Sequence, residues 1–167
     1  MKKLIADASP LIFLAKAGLL DALKGTFKKV YLTDYILKEI EKPIEMGFEA
    51  PEVRLLHSKN IMCIEKFTAK DILDAKKLSK ELNIGIGEAE AAILFKRDGF
   101  TAVLVADRRA QRKLKEIGVN TIDLIDLAFE VAKRGIMNPR QFALKLWDQA
   151  HFRSERVKDI LGRNAYM

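Results

Sequence analysis

Cysteine is nearly absent from this chain: Cys63 stands alone among 167 residues, which excludes an internal disulfide framework. With only His57 and His151 beside it, no nitrogen and sulfur ligand set at zinc-finger spacing can be assembled. Cys63, within "NIMCIEK", reads as a buried strand residue, and neither histidine is assigned a role. No run of 18 apolar residues occurs, so a membrane-spanning helix is excluded. The opening segment carries an acid and a proline where a secretory leader needs a longer apolar stretch and a small-residue cleavage site, so a cytoplasmic protein with no membrane partner is expected. Repeats and low-complexity tracts are also missing. With 49% hydrophobic residues, the chain is long enough to bury one core and too short for two ordinary domains. We therefore expect a single domain over residues 1–167, with residues from about 136 to 167 as a C-terminal helical extension.

Positive charge is present in surplus, +7 overall, and it is unevenly placed. Residues 101–167 hold 13 basic and 8 acidic side chains, against 17 and 15 in residues 1–100. That tilt favours an anionic partner such as a nucleic-acid backbone passing near the second half.

Along the chain, short apolar runs alternate with helical patterns. "LIA" reads as a strand and "PLIFLAKAG" as a helix, with Ser9 as its cap, Pro10 in its first turn and Gly18 as its stop. "VYL" is a second strand, followed by a helix capped by Thr33 or Asp34 and halted by Pro43. "IMCIEK" is a short strand. "TAKDILDAKKLSKELN" is an amphipathic helix with Ile72, Leu73, Ala75, Leu78 and Leu82 on or beside one face. "EMGFEAPEVRLLH" is loop and short helix, "IGIGEAEAAILFKRDG" opens another helix, "FTAVLVAD" and "VNTIDL" are strands, and "RRAQRKLKEIG", "IDLAFEVAKRG", "QFALKLWDQA" and "ERVKDILG" are helices. Such alternation predicts an α/β fold with a mostly parallel sheet covered on both faces. Near the end, Phe142, Leu144, Leu146, Trp147, Phe152, Val157 and Ile160 serve either to cover that core or to form an interface between copies.

Two acids recur at equivalent places. Asp7 and Asp107 each end an apolar strand and precede a helix, which puts two carboxylates at the edge where open α/β sheets gather ligands. Singly, each is also an ordinary helix cap. Glu39 borders the apolar stripe of Ile36, Leu37 and Ile40, and Glu88 falls in step with Ala91, Ala92 and Phe95 on the core side of its helix. A solvated surface or first-turn position is the competing role for both. Several carboxylates with no histidine or thiolate make a hard oxygen site suited to Mg²⁺ or Mn²⁺. After Asp107, inward Ala110, Leu114 and Ile117 leave Arg108, Arg112 and Lys115 on one outer stripe where phosphates can dock. A solvated helix face is its plainer role.

Together, "IADASPLIFLAKAG", "YLTDYILKEI", "IGIGEAEAAILF" and "VLVADRRAQRKLKEIGV" resemble the ordered acidic motifs of PIN domains. The nearest branch is that of compact prokaryotic PIN-like proteins related to VapC-type toxin ribonucleases. The resemblance spans roughly residues 1–130. It implies a three-layer α/β/α domain and a divalent-metal-dependent endoribonuclease that cleaves phosphodiester bonds of single-stranded RNA. It further implies a toxin of a toxin–antitoxin pair, with a small antitoxin protein as partner, and a homodimer. The catalytic, metal-binding acids of the family fall on Asp7, Glu39, Glu88 and Asp107, with Ser9 beside the first and Glu90 as a secondary acid facing elsewhere on its helix. Relatives commonly carry an acid or polar residue just before the fourth acid, where this chain has Ala106. The alternative is therefore a catalytically weak PIN-like module that binds nucleic acid or a protein partner. Haloacid-dehalogenase-type phosphatases also begin on a strand-end aspartate, but Ser9 occupies the place of their second acid. A response-regulator receiver lacks support too, since the adjacent acids and late lysine it needs do not occur.

Overall fold

In a computed structural model that describes residues 3–162, five parallel strands form one sheet in the order β3-β2-β1-β4-β5. They are β1 (Leu4–Ala6), β2 (Val30–Thr33), β3 (Met62–Glu65), β4 (Ala102–Leu104) and β5 (Thr121–Ile122). The register sets Ile5 opposite Tyr31 on one side and Val103 on the other. β1 and β4 are buried throughout, as a central parallel strand covered on both faces must be. The expected α/β class with a parallel central sheet is what the chain adopts.

Ten helices connect and follow the strands among the described residues: α1 (Ala8–Lys16), α2 (Leu20–Phe27), α3 (Asp34–Glu45), α4 (Pro51–Ser58), α5 (Ala69–Leu82), α6 (Ile86–Asp98), α7 (Arg108–Glu116), α8 (Leu124–Lys133), α9 (Pro139–Gln149) and α10 (Glu155–Leu161). None is long and apolar enough to cross a membrane. α6 lies against β1, β2 and β4, while α1 packs on α3, α4 and α9. Its alanines make the close approach of α6 to the sheet possible, since Ala89, Ala91 and Ala92 are all fully buried.

Four local expectations need correction. Ser9 is not a cap: it lies inside α1 and is exposed, and Asp7 holds the N-cap position. Pro43 does not halt α3, which runs on to Glu45. A proline this close to the end forfeits one hydrogen bond, the one that would reach the Glu39 carbonyl, without disturbing the turns before it. The α5 stripe is only half used. Ala75 is buried and Leu78 and Leu82 lean on the core, but Ile72 and Leu73 are 40% and 65% exposed, because α5 packs chiefly on α6. Cys63 is half-buried instead of buried, since β3 is an edge strand. α2 was not foreseen; its eight residues include a glycine and only a short apolar stripe.

The C-terminal aromatic and aliphatic residues mostly cover the chain's own core. Phe142, Leu146 and Val157 are fully buried, and Leu144, Trp147, Phe152 and Ile160 pack against them. Phe152 meets the Phe13 ring at 4.9 Å between centroids, and the Arg153 guanidinium lies 4.8 Å over Trp147. Arg156 ties α10 to α8 by donating to Asp123 and Asp126 at 2.7–2.8 Å. Residues 1–2, and residues 163–167 at the end of the expected extension, lie outside the described residues. If α9 is an integral part of the core, Phe142→Ala should lower unfolding free energy by about 3–5 kcal/mol, the usual range for a buried aromatic. Urea unfolding measures this, and a loss under about 1 kcal/mol would show that the C-terminal helices are dispensable.

Candidate active site

The strand order has a reversal at its centre. From β1 the sheet grows one way to β2 and β3, and the other way to β4 and β5. A crevice opens at the carboxyl ends of strands at such a switch point, and Asp7 and Asp107 flank it. Two backbone-directed bonds hold its walls. The Asp7 amide donates to the Leu104 carbonyl at 3.1 Å, and the buried Gln111 side chain donates to the Val105 carbonyl at 2.8 Å, fixing the turn that carries Asp107.

The two strand-end acids differ in local role. Asp107 is an exposed helix cap whose Oδ1 accepts from the Arg109 and Ala110 amides at 2.8 and 3.1 Å. Asp7 stands at the cap position of α1 yet makes no side-chain capping hydrogen bond. Glu39 is exposed as a residue on α3, but its carboxylate turns toward Asp7 across Gly87. A methyl group placed on Gly87 would sit 2.7 Å from Glu39 Oε1 and 3.1 Å from Asp7 Oδ1. These two oxygens therefore share the space that the missing side chain leaves free. Glu88, next along α6, accepts from the Gly85 amide through Oε1 at 3.0 Å. That is one half of a capping box, since glycine has no side chain to return the bond. Its other oxygen, Oε2, is buried without a hydrogen-bond partner.

Burial and mutual repulsion make these carboxylates reluctant anions. Asp7 is pushed up to about 6, first by burial and then by the charges of Glu39 and Asp107, with the Ala8 amide pulling the other way. Glu88 is pushed up to about 7 by burial, with Asp7 and Asp107 adding to it against the Gly85 hydrogen bond. Glu39 is raised by burial of its carboxyl and by Glu88 and Glu90. Each of the four expected acids is thus within electrostatic reach of others in the set. Glu90 is the most buried acid, 5% exposed, and faces Thr33 and Asp34, so the second helix position buries more deeply than the first. Ser9 is exposed on α1, and among the described residues no contact places it with the acids. Arg108, Arg112 and Lys115 are all exposed on α7, with Ala110 and Leu114 buried beneath them. No ion pair joins them to the acids among the described residues.

The family model described as a PIN domain matches residues 3–161. The chain belongs to the PIN-domain family. A crystal structure of PAE2754 from Pyrobaculum aerophilum has a similar fold, with a TM-score of 0.58 at 15% identity, covering 81% of this chain and 98% of that one. A search of curated proteins returns no match. PIN domains are generally nucleases that use divalent metal ions, and a nuclease-type function is supported for this one. Its acids fit such an ion chemically: the donors are all oxygen, Glu88 Oε2 lacks a partner, and Gly87 leaves room between two carboxylates. Among the described residues no group of three or more acidic, histidine or cysteine side chains is arranged as it stands to hold an ion. The electrostatic coupling and the Gly87 contacts identify neighbours, not a closed coordination shell, so ion binding would have to draw the carboxylates together.

Sequence reasoning missed Gly87, whose role shows only once α3 and α6 are packed, and the Asp123–Arg156 pair. Asp123 ends β5 just as Asp7 ends β1, so the strand-end rule applied to "VNTIDL" would have found it.

The raised carboxyls give this PIN domain a distinctive pH dependence. A group whose pKa is higher folded than unfolded stabilises below its unfolded value and loses that contribution as pH rises through its folded value. Asp7 and Glu88 therefore weaken the metal-free protein as pH climbs from about 4 to about 7. The lowered carboxyls of Asp71 and Asp126 act below that window. Thermal melting in chelator should give a lower Tm at pH 7.5 than at pH 5, and Asp7→Asn should flatten the difference. An unchanged slope in the variant would show that Asp7 is not held in a repulsive cluster.

Proposed function

We propose that this PIN domain is a Mg²⁺- or Mn²⁺-dependent endoribonuclease acting on single-stranded RNA, with Asp7, Glu39, Glu88 and Asp107 as its ion-holding acids. The observation that carries the reading is the meeting of Glu39 and Asp7 over Gly87, beside the unpartnered oxygen of Glu88. A divalent ion in such a site supplies an activated water and offsets charge on the phosphodiester during in-line displacement. The protein's share is positional. The Gly85 amide fixes one oxygen of Glu88 and leaves the other free, and the glycine at position 87 keeps the approach to the acids open. Arg108, Arg112 and Lys115 offer exposed cations on the β4–β5 side for the substrate backbone. Glu90 is a supporting residue in this reading, whereas Ser9, exposed on α1, has no contact with the acids among the described residues that gives it a role. The reading includes a toxin role with a small antitoxin partner, and a homodimer, for which exposed Met46 and Phe48 beyond α3 supply apolar surface. A catalytically weak binding module is the second reading, favoured by Ala106 and by the open arrangement of the acids.

Cleavage separates the two. Asp7→Asn and Glu88→Gln should each abolish Mn²⁺-dependent cutting of a labelled single-stranded RNA while leaving the circular dichroism spectrum unchanged. Wild-type rates in both variants would refute the active-site assignment, and wild-type protein inert in Mg²⁺ and Mn²⁺ would leave the binding module. Gly87→Ala should lower the cleavage rate at least about tenfold, since even small misplacement of catalytic groups is costly. Its Tm should change little, because the displaced atoms are the ends of flexible side chains. A fully active variant would show that Glu39 and Asp7 need not share that space.

A further inference from the structure

Beside the acid cleft, on the β2–β3 side of the sheet edge, runs an open groove of about 720 Å³. Its wall includes Tyr35, Ile64, Phe67 and Ile72, and three of these are large apolar residues left 40–41% exposed: Tyr35, Ile64 and Ile72. A folded chain rarely gathers such residues around one open hollow unless something covers them.

Charge says what kind of thing. Asp34 is paired with Lys38 at 3.1 Å, Glu65 with Arg97 at 3.8 Å, and Glu90 is buried at the inner end with Thr33 beside it. The groove's acids are thus engaged, whereas its Lys66 and Lys76 have no carboxylate partner among the described residues. The occupant is flat or apolar in part and anionic in part.

The groove also leads into the cleft. Glu90 lines it and lies close enough to Glu39 to raise that carboxyl. Tyr35 stands at the junction: it lines the groove with Ile86, the neighbour of Gly87, and its hydroxyl is raised first by partial burial and then by Glu39, Glu90 and Asp7. The exposed cations of α7 lie beyond the acids, on the β4–β5 side. In the strand order the acids at the ends of β1 and β4 thus stand between the groove, at β2 and β3, and α7, which leads to β5.

We propose that this groove takes unstacked bases of a single-stranded nucleic acid, with Tyr35 as the stacking platform and Lys66 and Lys76 on the flanking phosphates. The inference rests on the nuclease reading for its substrate class and adds the feature that selects single strands. A duplex keeps its bases stacked inside and cannot offer them to the groove, while every unpaired base has a face for an aromatic ring.

Binding without chemistry tests it. The whole protein is titrated, in chelator, into a fluorescein-labelled single-stranded RNA of about a dozen nucleotides, into its duplex, and into an abasic oligomer of equal charge, with anisotropy as the readout. The single strand should bind more tightly than the duplex. Tyr35→Ala should weaken single-strand binding at least about fivefold, from the worth of one stacked base, with Tyr35→Phe close to wild type and no effect of either on the abasic oligomer. Lys66→Glu with Lys76→Glu should reduce the slope of log K against log salt by about 1.4, two contacts at the single-strand value. All these residues are exposed, and unchanged Tm values verify that the variants fold. Equal binding of single strand by wild type and Tyr35→Ala, or equal affinity for duplex, overturns the proposal. So does self-association in sedimentation that Tyr35→Ala abolishes while RNA binding stays intact, which would make the groove an interface between copies. RNA cleavage by wild type together with unchanged single-strand binding in Tyr35→Ala refutes the groove alone, and Tyr35-dependent binding without any metal-dependent cleavage refutes the nuclease reading alone.

Discussion

Carboxylates that repel one another at the carboxyl edge of the sheet are the constraint around which this molecule is arranged. Asp7 and Glu88 are partly buried next to other acids, and neither has an ion-pair partner among the described residues. A structural site would have solved this with an arginine, as the protein does elsewhere. Asp123 and Asp126 share Arg156, while Glu65, Asp71 and Asp98 surround Arg97. At the switch point, by contrast, Asp7 and Glu88 have backbone amides, a glycine and other acids as neighbours, and Lys42 reaches only Glu39. Weakly relieved repulsion in a chain that neutralises its acids elsewhere is what functional sites characteristically show.

The scaffold that tolerates this strain is correspondingly firm. β1 is buried and paired on both sides, the Leu104 carbonyl clamps the Asp7 amide, and Gln111 closes the turn before α7. Alanines let α6 settle onto three strands, which brings Gly87 and Glu88 to the edge. The support beneath the acids is therefore apolar packing and backbone hydrogen bonding, neither of which depends on the charge state of the cleft.

Much of this was legible in sequence because it follows from local period and position. Strand-end acids, apolar runs followed by caps, and a stripe of alanines need no knowledge of the partner surface. What could not be read was what depends on two distant segments meeting. Gly87 looks like any helix-opening glycine until Glu39, 48 positions earlier in the chain, is laid across it. Glu90 counts two places from Glu88 and so faces elsewhere, but whether elsewhere means water or Thr33 is decided by where α6 docks. Ile72 and Leu73 fit an amphipathic pattern, and only the packing of α5 on α6 tells that they remain in the open.

The strand order also carries a temporal consequence. β4 inserts beside β1 at the middle of the sheet, yet it lies about a hundred residues downstream. Until the ribosome has released that segment, β1 has one bare edge, the crevice has one wall, and Asp107 has not been made. A partly synthesised chain thus holds Asp7, Glu39 and Glu88 without the wall that aligns them. Completion of the cleft is deferred until late in translation, so a growing polypeptide carries three of its acids before the fourth exists.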